Sequence, residues 1–236
     1  MKTTLSRRIV SEFIGTGFLV AAVVGSGIMG ERLSGGNVAI ALLANTIATG
    51  AALVALILAF GAASGAHLNP AVTIVDALER GISWSVAACY IPAQCIGAIC
   101  GAIAAHIMFG LPALSLSHHA RSGSAQGVSE FIATFGLLCV IWGCSRRRSE
   151  MVPFAVGAYI TAAYWFTSST SFANPAVTIA RSLTDTFAGI RPLDVPLFVL
   201  AQLAGAIAAT LLFRWLVPSL PVIAEEILVS VPSSCR

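Results

Sequence analysis

One hexapeptide, Asn-Pro-Ala-Val-Thr-Ile, occurs twice in this chain, at residues 69–74 and 174–179. A six-residue identity in each half indicates that the protein is built from two similar halves. The surrounding sequence is apolar: of 236 residues, 57% are hydrophobic and 10% are charged, and the mean hydropathy is +0.90. Because a soluble domain carries about 25% charged residues, we predict an integral membrane protein whose function lies where the two copies meet.

Six apolar segments are long enough to cross a bilayer as helices. They cover about residues 9–29, 38–60, 84–109, 128–144, 151–166 and 195–217. Basic residues precede the first segment (Lys2, Arg7 and Arg8) and follow the fourth (146–148). Since Lys and Arg are retained on the cytoplasmic side, we expect both termini and the tail 218–236 to be cytoplasmic. The net charge of +3 is too small to indicate a nucleic-acid partner.

The repeat extends beyond the hexapeptide. Ser-Glu-Phe-Ile occurs at 11–14 and 129–132, and Ala-Gln-x-x-Gly-Ala-Ile occurs at 93–99 and 201–207. The chain therefore reads as one membrane domain, 1–236, with internal repeats at about 9–109 and 128–217. Each repeat holds three spans, and an odd number of spans places the second copy upside down in the membrane.

Each hexapeptide has the features of a helix start. Asn is a good N-cap and Pro is favoured at the first helical position. The patterns predict helices that run from Asn69 towards Gly81 and from Asn174 towards Gly189. At roughly 10–14 residues, or about 15–20 Å, each reaches only half-way through the hydrocarbon core of about 30 Å. Two such half-helices, entering from opposite sides, make one span.

The segments before the half-helices, 61–68 and 167–173, are rich in Gly, Ala, Ser and Thr. We interpret them as re-entrant backbone, which is tolerated at membrane depth only where it is buried in protein or lines a water-filled path. We expect the carbonyl groups that face this path to come from Gly65, Ala66, His67, Ser171, Phe172 and Ala173.

The paired Asn-Pro-Ala motifs, the Glu in the first span of each repeat and the repeated Gln-x-x-Gly are carried by this chain. In these features it resembles the major intrinsic protein family of aquaporins and aquaglyceroporins. The resemblance covers nearly the whole chain. It implies an all-α, aquaporin-like fold of six transmembrane helices and two re-entrant half-helices. It also implies a homotetramer in membrane lipid that passively conducts small neutral solutes, and it requires no cofactor. The pore motifs are Asn69, Pro70, Ala71, Asn174, Pro175 and Ala176.

The resemblance also supplies spacing rules for the narrowest part of the pore. They place the selectivity constriction at Thr49, Ala162, Ser171 and Val177. Most family members have Arg directly after the second Asn-Pro-Ala, whereas this chain has Val177, with Arg181 one helical turn further along. A wide constriction without arginine predicts passage of water, glycerol-like polyols, urea and neutral metalloid hydroxides. We include arsenous acid because relatives without this Arg resemble bacterial aquaglyceroporins associated with arsenic resistance. The same resemblance implies a location in the bacterial inner membrane.

Two carboxylates, Glu12 and Glu130, lie inside predicted spans. Ionisable residues in spans are functional by default, but the resemblance implies that these two accept N–H groups from the re-entrant loops and support them. The alternative function is a secondary active transporter with inverted repeats, coupled through Glu12 and Glu130. The sequence contains no nucleophile–base or metal-ligand motif, so we expect neither an enzyme nor a metal site.

Overall fold

The computed structural model describes residues 3–145 and 148–217. These residues form eight α-helices, as the sequence predicts for an all-α fold. The helices are α1 (Leu5–Leu33), α2 (Val38–Ser64), α3 (Pro70–Leu78), α4 (Trp84–Met108), α5 (Ser124–Ser145), α6 (Val152–Phe166), α7 (Pro175–Arg181) and α8 (Val195–Leu216). The tail 218–236, including Cys235, lies outside the described residues.

The six long helices match the six predicted spans. Five of them are long and apolar enough to cross a membrane by themselves. The other, α6, has 15 residues and is preceded by the 3-10 helix Ser149–Met151. At about 1.5 Å per α-helical residue and 2.0 Å per 3-10 residue, the two together cover roughly 28 Å, which is close to the thickness of the hydrocarbon core.

The two half-helices are shorter than the sequence predicted. Helix α3 has 9 residues and does not continue to Gly81, because the backbone turns left-handed at Arg80, where φ is 67°. Helix α7 has 7 residues and does not continue to Gly189. Its last turn tightens, with Leu183 N donating to Ala180 O, and the chain then folds back so that Ile190 N donates to Arg181 O.

The bundle pairs α1 with α4 and α5 with α8 through very close backbone contacts. Gly97 in α4 lies against the carbonyl of Phe13 in α1, and Gly205 in α8 lies against the carbonyl of Phe131 in α5. A side chain at either glycine would meet backbone oxygen. Small residues allow this approach in membranes, where helices associate by van der Waals packing.

The exterior of the bundle is apolar and its interior contains polar groups. Large side chains such as Phe18, Leu58 and Trp215 are exposed, whereas Glu12 and Gln94 are completely buried. This distribution suits a lipid surround. We call the face at which α1 begins and α8 ends the N-terminal side, and the other face the opposite side.

Candidate functional site

The N-termini of α3 and α7 meet in the middle of the bundle, and their capping asparagines connect them. Each side-chain oxygen accepts N–H from the first turn of its own half-helix. The Asn69 Nδ2 donates to Ala173 O at 2.8 Å, and the Asn174 Nδ2 donates to Leu68 O at 2.8 Å. Each half-helix is thus tied to the loop that precedes the other one. We call this pair of hydrogen bonds the asparagine cross-tie.

Glu12 supports the first re-entrant loop. One carboxylate oxygen accepts from Ser64 Oγ at 2.6 Å and from His67 N at 3.0 Å. The other accepts from Leu68 N at 2.7 Å and from Gln94 Nε2 at 2.8 Å. Four donors satisfy a carboxylate that is otherwise very costly to bury.

Glu130 occupies the same position in the second half. Its oxygens accept from Phe172 N and Ala173 N, each at 2.9 Å, and from Gln202 Nε2 at 2.6 Å. The structure therefore places both predicted loop-supporting residues in contact with backbone N–H groups of the loops.

The supported loops have unusual backbone conformations. Ala66, Leu68, Ser171 and Ala173 have φ values of 47°, 48°, 48° and 49°. A side chain in this left-handed region costs roughly 1–3 kcal/mol. The two carboxylates hold the strained residues in place, because they accept hydrogen bonds from the N–H groups of Leu68 and Ala173.

In the described part of the chain, a cavity is lined by both asparagines. Most of its other side chains are aliphatic and come from spans and half-helices: Leu19, Val23, Leu53, Ile57, Val72, Leu137, Ile141, Val152, Val156, Ile160 and Val177. Polar side chains are contributed by Thr49, His67, Asn69, Tyr164, Ser171, Asn174 and Arg181. A lining that combines apolar and polar side chains suits molecules that have both carbon and hydroxyl groups.

Three of the four predicted constriction residues line this cavity: Thr49, Ser171 and Val177. Ala162 does not. It lies on the exposed face of α6, while Tyr164 faces the cavity, with its hydroxyl 3.3 Å from Thr49 Oγ1. At about 100° per residue, a shift of two positions turns a side chain to the other face of a helix. Tyr164, and not Ala162, is therefore the polar side chain that α6 contributes to the cavity.

The six residues predicted to offer carbonyl groups all line the cavity: Gly65, Ala66, His67, Ser171, Phe172 and Ala173. The Ala173 carbonyl is already engaged by the asparagine cross-tie. The Leu68 carbonyl, engaged in the same way, belongs to a cavity residue that the sequence did not single out.

Arg181 is the main residue that the predicted site leaves out. It is 2% exposed and lines the cavity. Its guanidinium carbon lies 3.4 Å from the centre of the Phe172 ring, and its Nε donates to Ala188 O. The only signal in the sequence is a shared register, since Arg181 follows Asn174 by 181 − 174 = 7 positions and Asp76 follows Asn69 by 76 − 69 = 7 positions. That register does not by itself give a cavity residue, because Asp76 is not among the lining residues.

The equivalent pair on the N-terminal side is His67 and Asp76. Their side chains approach to 3.4 Å between His67 Nε2 and Asp76 Oδ2, and both are almost fully buried. The other ring nitrogen of His67 lies 3.1 Å from Thr73 Oγ1. The imidazole ring thus has a partner at each nitrogen.

Within residues 3–145 and 148–217, no three His, Cys, Asp or Glu side chains come together as a metal site. The five described cysteines are free thiols: Cys89, Cys95, Cys100, Cys139 and Cys144.

Comparisons with known proteins agree with this architecture. A family model described as "Major intrinsic protein" matches residues 1–172 and 147–234. An aquaglyceroporin named AqpS from Rhizobium meliloti (strain 1021) is 55% identical over 222 residues, covering 94% of this chain and 95% of that protein. Aquaporin NIP1-4 of Oryza sativa subsp. japonica is 32% identical, covering 88% of this chain and 76% of its own length.

Among solved structures, the aquaglyceroporin from Plasmodium falciparum superposes with a TM-score of 0.73 at 21% identity, over 93% of this chain and 100% of that one. That likeness concerns the fold. Together with the match of the family model along the chain, the paired half-helices and their carboxylate supports lead to one conclusion: this chain belongs to the major intrinsic protein family.

Proposed function

We propose that the protein is a passive transmembrane channel for water and small neutral solutes of the glycerol type. One observation carries the proposal: a cavity with aliphatic and polar lining residues includes both capping asparagines, where the two half-helices meet inside an apolar bundle. This chain is similar to a protein that is named an aquaglyceroporin, and the similarity covers 95% of that protein's length.

The half-helices supply the barrier to ions. Each helix N-terminus carries about +0.5 charge, and both point to the centre of the pore. Each asparagine amide has a second N–H beyond the one used in the cross-tie. A passing water or hydroxyl accepts these hydrogens and turns its own hydrogens away, which interrupts a chain of hydrogen-bonded water and hinders protons and cations.

The side chains near the second motif set the range of solutes. Val177 leaves the position after Asn-Pro-Ala apolar and uncharged, and Thr49 and Ser171 add hydroxyl groups to a lining that is mostly aliphatic. This combination favours polyols, urea and neutral metalloid hydroxides such as arsenous acid over a water-only pore. Arg181 and Tyr164 also line the cavity and add a guanidinium and a phenol hydroxyl to its polar groups.

The transporter alternative is not supported. Coupling through Glu12 and Glu130 requires carboxylates that can take up and release an ion during transport. Instead, both carboxylates hold strained backbone through several hydrogen bonds. Protonating either one would remove acceptors from the loops and disturb the pore itself. Their contacts favour a fixed structural role.

The assembly and orientation that we propose follow the family and the charge pattern. Both termini are cytoplasmic, the repeats at about 9–109 and 128–217 are inverted, and the channel is a homotetramer in a bacterial inner membrane. The matching contacts of Glu12 with Gln94 and of Glu130 with Gln202 support the repeat. Cross-linking in native membranes and protease accessibility of the termini test these points.

Stopped-flow light scattering on proteoliposomes tests the function. We expect glycerol flux well above that of empty liposomes, with no dependence on Na⁺ or proton gradients. Val177→Arg should reduce glycerol flux more than water flux, because it narrows the pore and adds donors. Val177→Leu is the matched control, because Leu is close to Val in volume and is uncharged. It should retain most glycerol flux. Equal loss of both fluxes in Val177→Arg, or accumulation of solute against its gradient, would contradict the proposal.

A further inference from the structure

We propose that Arg181 is the charge-selectivity residue of this pore and that, with Ser171, it forms a binding site for the oxygen atoms of small neutral hydroxylated solutes. This inference rests on the proposed channel function and deepens it. It assigns a ligand role to a residue outside both Asn-Pro-Ala motifs, about one helical turn, or roughly 6 Å, beyond Val177 towards the opposite side.

The first observation is that the guanidinium is held firmly but not fully hydrogen-bonded. Its Nε donates to Ala188 O, and its plane packs on the Phe172 ring, with 3.4 Å between Cζ and the ring centre. The Tyr164 hydroxyl also lies close to the guanidinium, but the buried Nη1 makes no hydrogen bond of normal geometry within the described residues. A buried cationic donor without a partner is costly, so the cavity offers a site that an acceptor oxygen would satisfy.

The second observation is that Ser171 has the same unfilled capacity. Its hydroxyl is buried, lines the same cavity, and finds no partner in the described part of the chain. Thr49 and Tyr164 bond to each other nearby, at 3.3 Å between their hydroxyl oxygens. A small solute with adjacent oxygens could accept from Arg181 while exchanging a hydrogen bond with Ser171.

The third observation concerns charge. None of the described residues that line the cavity is acidic. The oxygens of Glu130, the supporting carboxylate of this loop, already accept hydrogen bonds from Phe172 N and Ala173 N. A second guanidinium, that of Arg121, lies over the same Phe172 ring at 5.1 Å. Two guanidinium groups therefore lie at the Phe172 ring, and a cation entering from the opposite side meets Arg181 before the asparagines.

A purely structural role for Arg181 makes a different prediction. Its bond to Ala188 O also ties the end of α7 to the following loop, and basic residues commonly stabilise helix C-termini. If that were the whole role, removing the charge would lower stability without changing which solutes pass. The test must therefore compare solutes of equal shape and different charge.

Urea and guanidinium are such a pair, since both are small and planar and only guanidinium is charged. We would measure their fluxes in proteoliposomes by stopped-flow light scattering for the native chain, Arg181→Gln and Arg181→Lys. Gln removes the charge but keeps an N–H donor, and Lys keeps the charge. Arg32→Gln is the matched control, because Arg32 lies at the same end of the bundle, exposed and outside the cavity.

We expect Arg181→Gln to raise the ratio of guanidinium to urea flux about tenfold or more, because a charge a few ångströms from the path dominates the local field. Arg181→Lys should stay within about threefold of the native ratio, and Arg32→Gln should match it. Val177→Arg combined with Arg181→Gln should restore a low ratio, since it returns a positive charge to the path. Ser171→Ala should slow glycerol and leave the ratio unchanged.

An unchanged ratio in folded Arg181→Gln would overturn the inference while leaving the channel function intact. If Arg181→Gln does not fold, as judged by size-exclusion chromatography, the test uses Arg181→Lys and the double variant Val177→Arg with Arg181→Gln. A raised ratio of guanidinium to urea flux in both of these variants would overturn the inference. A native protein that conducts neither urea nor glycerol would instead contradict the proposed function.

Discussion

The two re-entrant loops share one backbone design but differ in chemistry. Each loop contains residues with left-handed backbone angles and ends at a capping asparagine. A carboxylate from the first span of the same repeat holds each loop in place. Two positions before that asparagine, the N-terminal side has His67 and the opposite side has Phe172. Seven positions after it, the N-terminal side has Asp76 and the opposite side has Arg181. One pair joins imidazole to carboxylate, and the other joins an aromatic ring to guanidinium.

This difference separates two kinds of constraint. The carboxylates and asparagines are the same in both loops because both must satisfy the same buried backbone N–H groups. The side chains at the two variable positions contact each other within each loop, so each pair can change together without disturbing the carboxylate support. Similar scaffolds can thus present a negative residue behind one loop and a positive residue at the other end of the pore.

The largest expected effect comes from the shared carboxylates. Glu12→Gln should lower the free energy of unfolding by about 3–5 kcal/mol, because an amide cannot accept from all the donors that a buried carboxylate satisfies. Glu130→Gln should cost less, since it has three such hydrogen bonds against four. Thermal unfolding in detergent measures both. Glu31→Gln, at an exposed position, is the control. An equal effect of all three would show that the loops do not depend on these carboxylates.

The next effect tests whether the two halves pack alike. Gly97→Ala and Gly205→Ala should each destabilise the protein by roughly 1–3 kcal/mol, because the added methyl meets a backbone oxygen of the partner helix. Gly61→Ala places its methyl in open space and should be neutral or slightly stabilising. The same unfolding assay compares them. A strong effect in only one half would limit the packing similarity to that half.

A smaller effect distinguishes the variable pairs. A double-mutant cycle with His67→Phe and Asp76→Asn should give a coupling energy of about 0.5–3 kcal/mol, since the residues are in contact. A cycle with Phe172→Leu and Arg181→Gln should give about 0.5–2 kcal/mol, the range for a desolvated cation–π pair. Coupling near zero in either cycle would mean that the two positions vary independently.

The smallest effect is a pH dependence on the opposite side. Partial burial, together with Arg121 and Arg181, lowers the pKa of the loop residue His119 below its ordinary value of 6.5. The unfolded chain then binds this proton more readily, so stability should fall as pH decreases through about 6.5 and level off below the folded-state pKa. His119→Gln should flatten this slope in unfolding curves taken at several pH values. His118→Gln controls for loss of a neighbouring histidine, and an unchanged slope in His119→Gln would contradict the assignment.

Much of this arrangement could be predicted from the sequence, because the dominant patterns are long and local. Apolar length fixes the six spans, and the Asn-Pro pair fixes where each half-helix begins. The ends of the half-helices could not be predicted, because α7 stops where the chain folds back onto Arg181. Such tertiary contacts leave no periodic pattern in the sequence.

The α6 residue of the site shows a second limit. Ala162 was reached by counting back from Asn174 through 167–174, a segment that is not helical. Residue number does not translate into direction across such a segment, so the count selected the wrong face and missed Tyr164. The direction of Arg181 was equally undetermined, since a guanidinium at the end of a short helix can face either the path or the surrounding loops.

The asparagine cross-tie has a consequence for biosynthesis. The Asn69 side chain bonds to a carbonyl 104 positions later in the chain. At roughly 5–20 residues per second, the ribosome needs about 5–20 s to make that partner. During this interval the Asn69 amide has been made but lacks its acceptor in the cross-tie. The order of synthesis therefore makes the second half the step that completes the pore.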